Sequence, residues 1–303
     1  MKESILACGS SGQLILFNEN GKIIKNLVIG AENSRGEISN LELNNACYVN
    51  ERIYLIGYTP NLISEDSNSD FLLICLDRNL NPLWSIAFGG NSHDVLRDIC
   101  HDDEYLYVCG ETWSYGFGKG DVFVSKLSLD GDILWSKVIG GHNEDYARSI
   151  HLVDGYLYIV GGTKSYNSGN WNFFIAKLDK NGNVVRTWTI GGNEREIART
   201  ATLYNNSSLI ISGFSKTWTF GKRSAIIVFW PLEYEGEIEP KTMRSNATNE
   251  KLLSRKLVCQ YVPNVNEKYV SPLIKPIKIV QKIEEYKLCI LSQFLNILTL
   301  NVM

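Results

Sequence analysis

No part of this 303-residue sequence approaches the roughly 20 consecutive apolar residues that a membrane-crossing helix needs. The most apolar stretch begins at Leu288 and is interrupted by Ser292, Gln293, Asn296 and Asn301. The apolar run after Met1 is too short for a signal-peptide core, which sets a cytoplasmic protein without membrane contact as the expectation. Cysteine pairs are also missing. The seven cysteines (Cys8, Cys47, Cys75, Cys100, Cys109, Cys259 and Cys289) form no Cys-x-x-Cys and mostly sit inside apolar runs. They read as reduced thiols packing as small hydrophobes, not as a disulfide framework. The four histidines, His93, His101, His142 and His151, lack zinc-ligand spacing, so no metal is expected. A net charge of -3 supplies no field to attract nucleic acid or an anionic surface. There is no nucleophile elbow or recognisable Ser-His-Asp order, and no catalytic residue or cofactor is assigned.

What the sequence does contain is a repeat. Gly-Gly occurs at 89–90, 140–141 and 191–192, in two steps of 51 residues (140−89 and 191−140). Apolar runs ending in glycine keep the same register at Gly57, Gly110, Gly161 and Gly213, and turn glycines recur at Gly131, Gly182 and Gly236. In one unit, strands are expected over 94–101, 104–111, 121–129 and 132–139, where Val122, Val124, Tyr105 and Tyr107 give the β-branched and aromatic enrichment of a sheet. Trp84 and Trp135 hold equivalent places in the fourth strand, and Trp188 is displaced by two, which keeps it on the same face.

Four-stranded antiparallel units at this period, without helices, fit an all-β propeller. Dividing 303 by 51 gives about 5.9, hence six blades, with five or seven left open. The chain is taken as one domain, 1–303, with clear repeats over 37–243 and degenerate blades over 1–36 and 244–303. It begins mid-unit, so a strand from 295–302 is expected to complete the first blade and close the ring. That would remove the unpaired edges that invite aggregation.

The unit Asp-Val-Phe-Val-Ser-Lys-Leu-Ser-Leu-Asp-Gly-Asp-Ile-Leu-Trp-Ser-Lys-Val-Ile-Gly-Gly, continuing to Tyr-Leu-Tyr-Ile-Val-Gly-Gly-Thr at 156–163, resembles the SBBP-type β-propeller repeat. The resemblance is good over about 70–230, partial over 1–69 and poor beyond 243. It implies a propeller and names no activity. Leu-Asp-x-x-Gly-x-x-x-Trp is also distantly similar to the repeat of pyrroloquinoline-quinone-type propellers. Their enzymes carry an adjacent cysteine pair that this chain lacks, so the cofactor is not carried over.

Two sets of residues stand out as candidates. An acid after the Gly-Gly loop is followed three positions later by arginine: Asp94/Arg97, Asp145/Arg148 and Glu196/Arg199, with Glu37 and Asn40 placed as their counterparts in the first unit. Residues i and i+3 of a strand face opposite sides. Each acid is therefore expected to reach an arginine of a neighbouring blade, forming a structural ion-pair girdle at the channel mouth. The second set lies between the second and third strands: Trp113, Tyr115, Phe117 and Lys119, then Tyr166 and Trp171, then Trp218, Phe220, Lys222 and Arg223. Aromatics interleaved with cations can stack on side chains or sugars. The glycines of Gly116-x-Gly118-x-Gly120 lie between strands and read as turn residues. The leading expectation is a non-enzymatic scaffold that binds a protein partner through this face. A channel-mouth hydrolase or lyase, and a glycan-binding propeller, are the alternatives. Carboxylates held among arginines would have lowered pKa values and act poorly as general acids.

Overall fold

The computed structural model describes residues 4–32, 38–60, 68–166, 169–217, 223–233, 241–243, 258–261, 266–270, 273–276, 278–282 and 296–298. Most of them lie in strands, and the one helical element among them is a 3-10 turn at Ser10–Gly12. In chain order the strands begin with β1 (Ser4–Cys8), β2 (Gln13–Asn18), β3 (Ile23–Glu32) and β4 (Ile38–Asn40). Next come β5 (Glu42–Val49), β6 (Arg52–Thr59), β7 (Asp70–Asp77) and β8 (Pro82–Gly89). The third set is β9 (Asp94–His101), β10 (Tyr105–Thr112), β11 (Asp121–Ser128) and β12 (Ile133–Gly140). The fourth is β13 (Asp145–Val153), β14 (Tyr156–Thr163), β15 (Asn172–Asp179) and β16 (Val184–Gly191). The fifth is β17 (Glu196–Tyr204), β18 (Ser208–Ser215), β19 (Ser224–Pro231) and β20 (Lys241–Met243). Short strands follow: β21 (Val258–Tyr261), β22 (Asn266–Tyr269), β23 (Leu273–Pro276), β24 (Lys278–Lys282) and β25 (Asn296–Leu298). No helix of the described residues is long and apolar enough to cross a membrane.

The chain divides into two compact units. One comprises Met1–Val108, Leu127–Leu134 and Ser271–Met303, and the other Cys109–Lys126 and Trp135–Val270. In the first unit, β1, β2 and β3 form an antiparallel sheet whose fourth strand is β25, with Leu6 opposite Leu298 and Cys8 opposite Asn296. The expected pairing of an end segment with the first strand is therefore present. Strands β5 to β8 form a second sheet. Its β7 is buried from Asp70 to Leu76, as the unbroken apolar run Phe-Leu-Leu-Ile-Cys-Leu requires. The core of this unit is aliphatic: Leu6, Leu14, Ile29, Leu55, Leu72 and Ile74 pack together. In the second unit, β13 to β16 and β17 to β20 each form a four-stranded antiparallel sheet. The core there adds aromatic rings to aliphatic side chains. Trp188 meets Trp230 edge-on at 5.3 Å, with Tyr158 and Phe173 in the same cluster. Burying a ring of this size contributes about 3 kcal/mol.

The region 244–303, expected to build degenerate blades, does something different where it is described. It adds single strands to the outer edges of earlier sheets. Strand β21 pairs with β16 and β22 with β12; in the other unit β23 pairs with β8 and β24 with β3. The described residues form five sheets, and β21 to β24 belong to four of them and not to a sheet of their own.

Two repeat landmarks acquire a physical cause. Three strands, β5, β13 and β17, carry a bulge, between Leu43 and Asn45, Ala147 and Ser149, and Ala198 and Thr200. There the neighbouring second strand comes so close that a Cβ on Gly57, Gly161 or Gly213 would sit 1.8, 1.8 or 2.0 Å from a backbone carbonyl oxygen. Only glycine fits. The turn glycines Gly131 (φ +93°) and Gly182 (φ +83°) need the left-handed region and also seat a tryptophan, Trp84 and Trp135 respectively. That contact explains why glycine and tryptophan recur together.

Candidate functional site

The acids after the Gly-Gly loops are buried and hold the loops in shape. Gly141 N–H donates to Asp145 Oδ2 at 2.8 Å, and the Ser165 hydroxyl donates to the same oxygen at 2.6 Å. Glu196, one methylene longer, satisfies both oxygens: Oε2 accepts from Gly192 N–H (3.0 Å), and Oε1 from the Ser215 hydroxyl (3.0 Å) and Thr217 N–H (3.2 Å). Asp94 accepts from Gly90 N–H at 2.9 Å in the first unit. Backbone bonds add to each seam, with Asp145 N–H donating to Gly120 O and Glu196 N–H to Trp171 O, both at 2.7 Å.

The expected girdle is thus replaced by amide and hydroxyl contacts at Asp145 and Glu196. Arg148 pairs with Glu111 (4.0 Å) instead of an acid that opens a first strand. The expected parity fails for a local reason. Arg148 and Arg199 occupy the bulges of β13 and β17, and the extra residue of a bulge re-aims the side chains around it. Arg148 therefore lines the same cleft as Asp145. Asn44, not Asn40, holds the matching bulge of β5, where its side-chain N–H donates to Leu96 O at 2.6 Å.

At Asp145 the expected lowering of the carboxyl pKa is reversed as well. Burial pushes Asp121 up to about 6, against bonds from the Phe117 and Gly118 amides, and nearby Asp145 raises it further. Burial also raises Asp145, despite the Ser165 and Thr163 hydroxyls and the Gly141 amide. Amides and hydroxyls compensate burial less than a guanidinium would. Asp121 belongs to the Gly116–Gly118–Gly120 loop, which folds around its carboxylate: Phe117 N–H donates to Oδ2 at 2.9 Å. Gly116 there has φ +133°, in keeping with a turn reading.

Within the second unit lies an open cleft of about 220 Å³. Its walls carry Arg148, Arg195 and Arg199, the acids Glu111, Glu144 and Asp145, and the rings of Trp113, Tyr146 and Trp171. A ladder of cations and rings forms one side. The Arg148 guanidinium lies 4.7 Å from the Tyr146 ring, Tyr146 is 4.8 Å from Trp171, and Lys164 Nζ stands 4.7 Å from Trp171. Lys164 is also ion-paired with Glu144. Arg195 and Arg199 form no ion pair among the described residues. Arg199 stands only loosely, 6.0 Å from the Phe214 ring. The Tyr146 hydroxyl is buried without a hydrogen-bond partner, and burial pushes its pKa up to about 12 against the pull of Arg148 and Arg199.

The cleft unites five residues of the two sets, Trp113, Trp171, Asp145, Arg148 and Arg199. The other described members lie elsewhere. The Tyr166 hydroxyl donates to Gly140 O at 2.6 Å and its ring stacks on Phe174. Phe117 lies under Lys268 Nζ at 5.2 Å, Tyr115 is half-buried and Lys119 is exposed. Asp94 and Arg97 belong to the other unit. Trp218, Phe220 and Lys222 fall outside the described residues, while Arg223 covers Phe214 at 3.8 Å. The sequence reading missed Glu111, Glu144, Tyr146 and Arg195. Each lies within one residue of a landmark, but only the bulge geometry turns them into one cleft.

The histidines are held by local bonds: His93 Nδ1 by Ser69 Oγ (2.6 Å), and His151 Nε2 by Ala201 O (3.1 Å) and Ser149 Oγ (3.1 Å). Among the described residues no three His, Cys, Asp or Glu side chains gather as metal ligands. Cys8, Cys47, Cys75 and Cys109 are buried and Cys100 is half-buried, none of them in a disulfide. Burial pushes Cys8 and Cys75 up to about 11, which keeps them protonated and unreactive. No family model and no curated protein matches the sequence, so its functional reading rests on the repeat and on this cleft.

Proposed function

We propose that the chain is a β-propeller scaffold, resembling SBBP-type repeat proteins, that binds a protein partner through the loop face carrying the unit-two cleft. The proposed ring has five four-stranded blades, latched where β25 joins β1, with β21 to β24 as an outer belt of edge strands. The regular repeat, the five sheets and that terminal pairing support this arrangement. One observation carries the binding reading: Arg195 and Arg199 stand unpaired beside Trp113, which is 45% exposed. Tryptophan and arginine are the residues that most often dominate protein interfaces.

Channel-mouth hydrolysis is less well supported. Asp121 has the raised pKa a general acid needs, but it is fully buried beneath its own loop. The second acid, Asp145, has Oδ2 occupied by Gly141 and Ser165. A glycan platform would need open ring faces, and Trp171 already carries Tyr146 and Lys164.

A photo-crosslinking residue at Trp113, compared with one at the exposed turn residue Asp154, tests the reading in the native host. The expected result is a discrete protein adduct from position 113 that position 154 does not give. Equal capture from both positions would overturn it.

A further inference from the structure

Resting on that reading, we infer that the cleft recognises a carboxylate, presented by an acidic peptide segment of the protein partner. The accounting of charge points there. Glu111 is engaged by Arg148, Glu144 by Lys164, and Asp145 by an amide and a hydroxyl. The two basic groups of the cleft left without an ion pair among the described residues are Arg195 and Arg199. A guanidinium presents a planar fork of donors that matches a carboxylate. A formal net charge of -3 for the whole chain makes such a local excess of unpaired positive charge a selective feature, not a general attraction.

An independent observation lies beneath the arginines. Tyr146 is only 5% exposed, and its hydroxyl has no hydrogen-bond partner. Buried polar atoms are rarely left so. A carboxylate seated between Arg195 and Arg199 would balance the positive charge that both arginines exert on this buried group. Size narrows the class further. About 220 Å³ accommodates one Glu or Asp side chain and its neighbours, not a wide chain. The occupied faces of Trp171 leave little for a sugar ring to stack on.

The test uses the full chain and four probes: a Glu-rich octapeptide, its Gln counterpart, a phosphoserine peptide of equal length, and a hexuronate oligosaccharide. Binding is read by tryptophan fluorescence and calorimetry. The Glu peptide should bind in the sub-millimolar range, and replacing Glu by Gln should weaken it about 10-fold or more. Arg199→Ala and Arg195→Ala should each weaken it by about 10- to 30-fold with unchanged melting temperature, and Arg199→Lys should recover only part of the loss. Tighter binding of the phosphopeptide or the hexuronate, or equal binding of the Gln peptide, would overturn the inference. No peptide binding while Trp113 still captures a protein would overturn the carboxylate alone. Loss of both would overturn the scaffold reading as well.

Discussion

The β11–β13 seam and the β15–β17 seam occupy the same place in successive repeats, yet they solve burial differently. The first places Asp121 beside Asp145, both almost fully buried, and leaves the Oδ1 atom of each without a hydrogen bond. The second has Asn172 at the matching position, its amide buried without a hydrogen bond, and Glu196, whose longer side chain reaches both its loop amide and the Ser215 hydroxyl. One seam buries two carboxylates and must take up protons to relieve them. The other buries one and satisfies it. A repeat therefore preserves the backbone bond across the seam, Asp145 N–H to Gly120 O and Glu196 N–H to Trp171 O, while the electrostatics at that spot drift.

The feature the two seams share should break most severely. Gly161→Ala and Gly213→Ala drive a methyl group into the carbonyl oxygens of Tyr146 and Ile197, and each should cost about 3 kcal/mol or more in denaturant unfolding. A loss below about 1 kcal/mol would mean that the bulge relaxes. Making the seams alike comes next. Asn172→Asp puts a second carboxylate into the Glu196 seam and should destabilise by about 2 kcal/mol at pH 7, with the loss shrinking as the medium is acidified.

The reverse change should help. The folded pKa of Asp121, about 6, lies above its ordinary value of 3.8, so folding takes up a proton between those two pH values. The penalty is complete above pH 6, shrinks as pH falls through 6, and is gone below about 4. Asp121→Asn should therefore stabilise by about 1 kcal/mol at pH 7 and flatten the dependence of melting temperature on pH between 4 and 6. An unchanged pH profile would show that Asp121 is not the group responsible. The smallest effect is expected from Ser165→Ala. It removes one donor from Asp145 and should cost about 1 kcal/mol at pH 7, less at acid pH.

The strands were legible because their residues alternate and their turns carry glycine. The expected spans 94–101, 104–111, 121–129 and 132–139 end within one residue of β9 to β12. The N-terminal strands and the partner of β1 were equally readable, since Leu6, Leu14 and Leu27 keep the inward pattern. The candidate site was half legible. Trp113, Trp171, Asp145, Arg148 and Arg199 stood out by register, but the reasoning that joined them as ion pairs assumed an unbroken strand. A bulge leaves no mark in composition, so the parity error at Arg148 could not be seen before the backbone was. Arg195 and Tyr146 escaped because each repeats no pattern and gains its role from neighbours brought in by another strand.

By itself, the sequence determined the period, the four-strand unit and the glycines at Gly57, Gly161 and Gly213, because local backbone geometry and side-chain alternation are encoded residue by residue. Only the tertiary structure decided where β21 to β24 pair. Short strands with weak alternation carry no address of their own, and the open hydrogen-bonding edges of β3, β8, β12 and β16 supplied one. Tertiary structure also decided which charges were left over. An ion pair depends on which strand lies opposite, and that pairing leaves Arg195 and Arg199 facing the cleft of the second unit while the acids of the repeat are drawn into the seams.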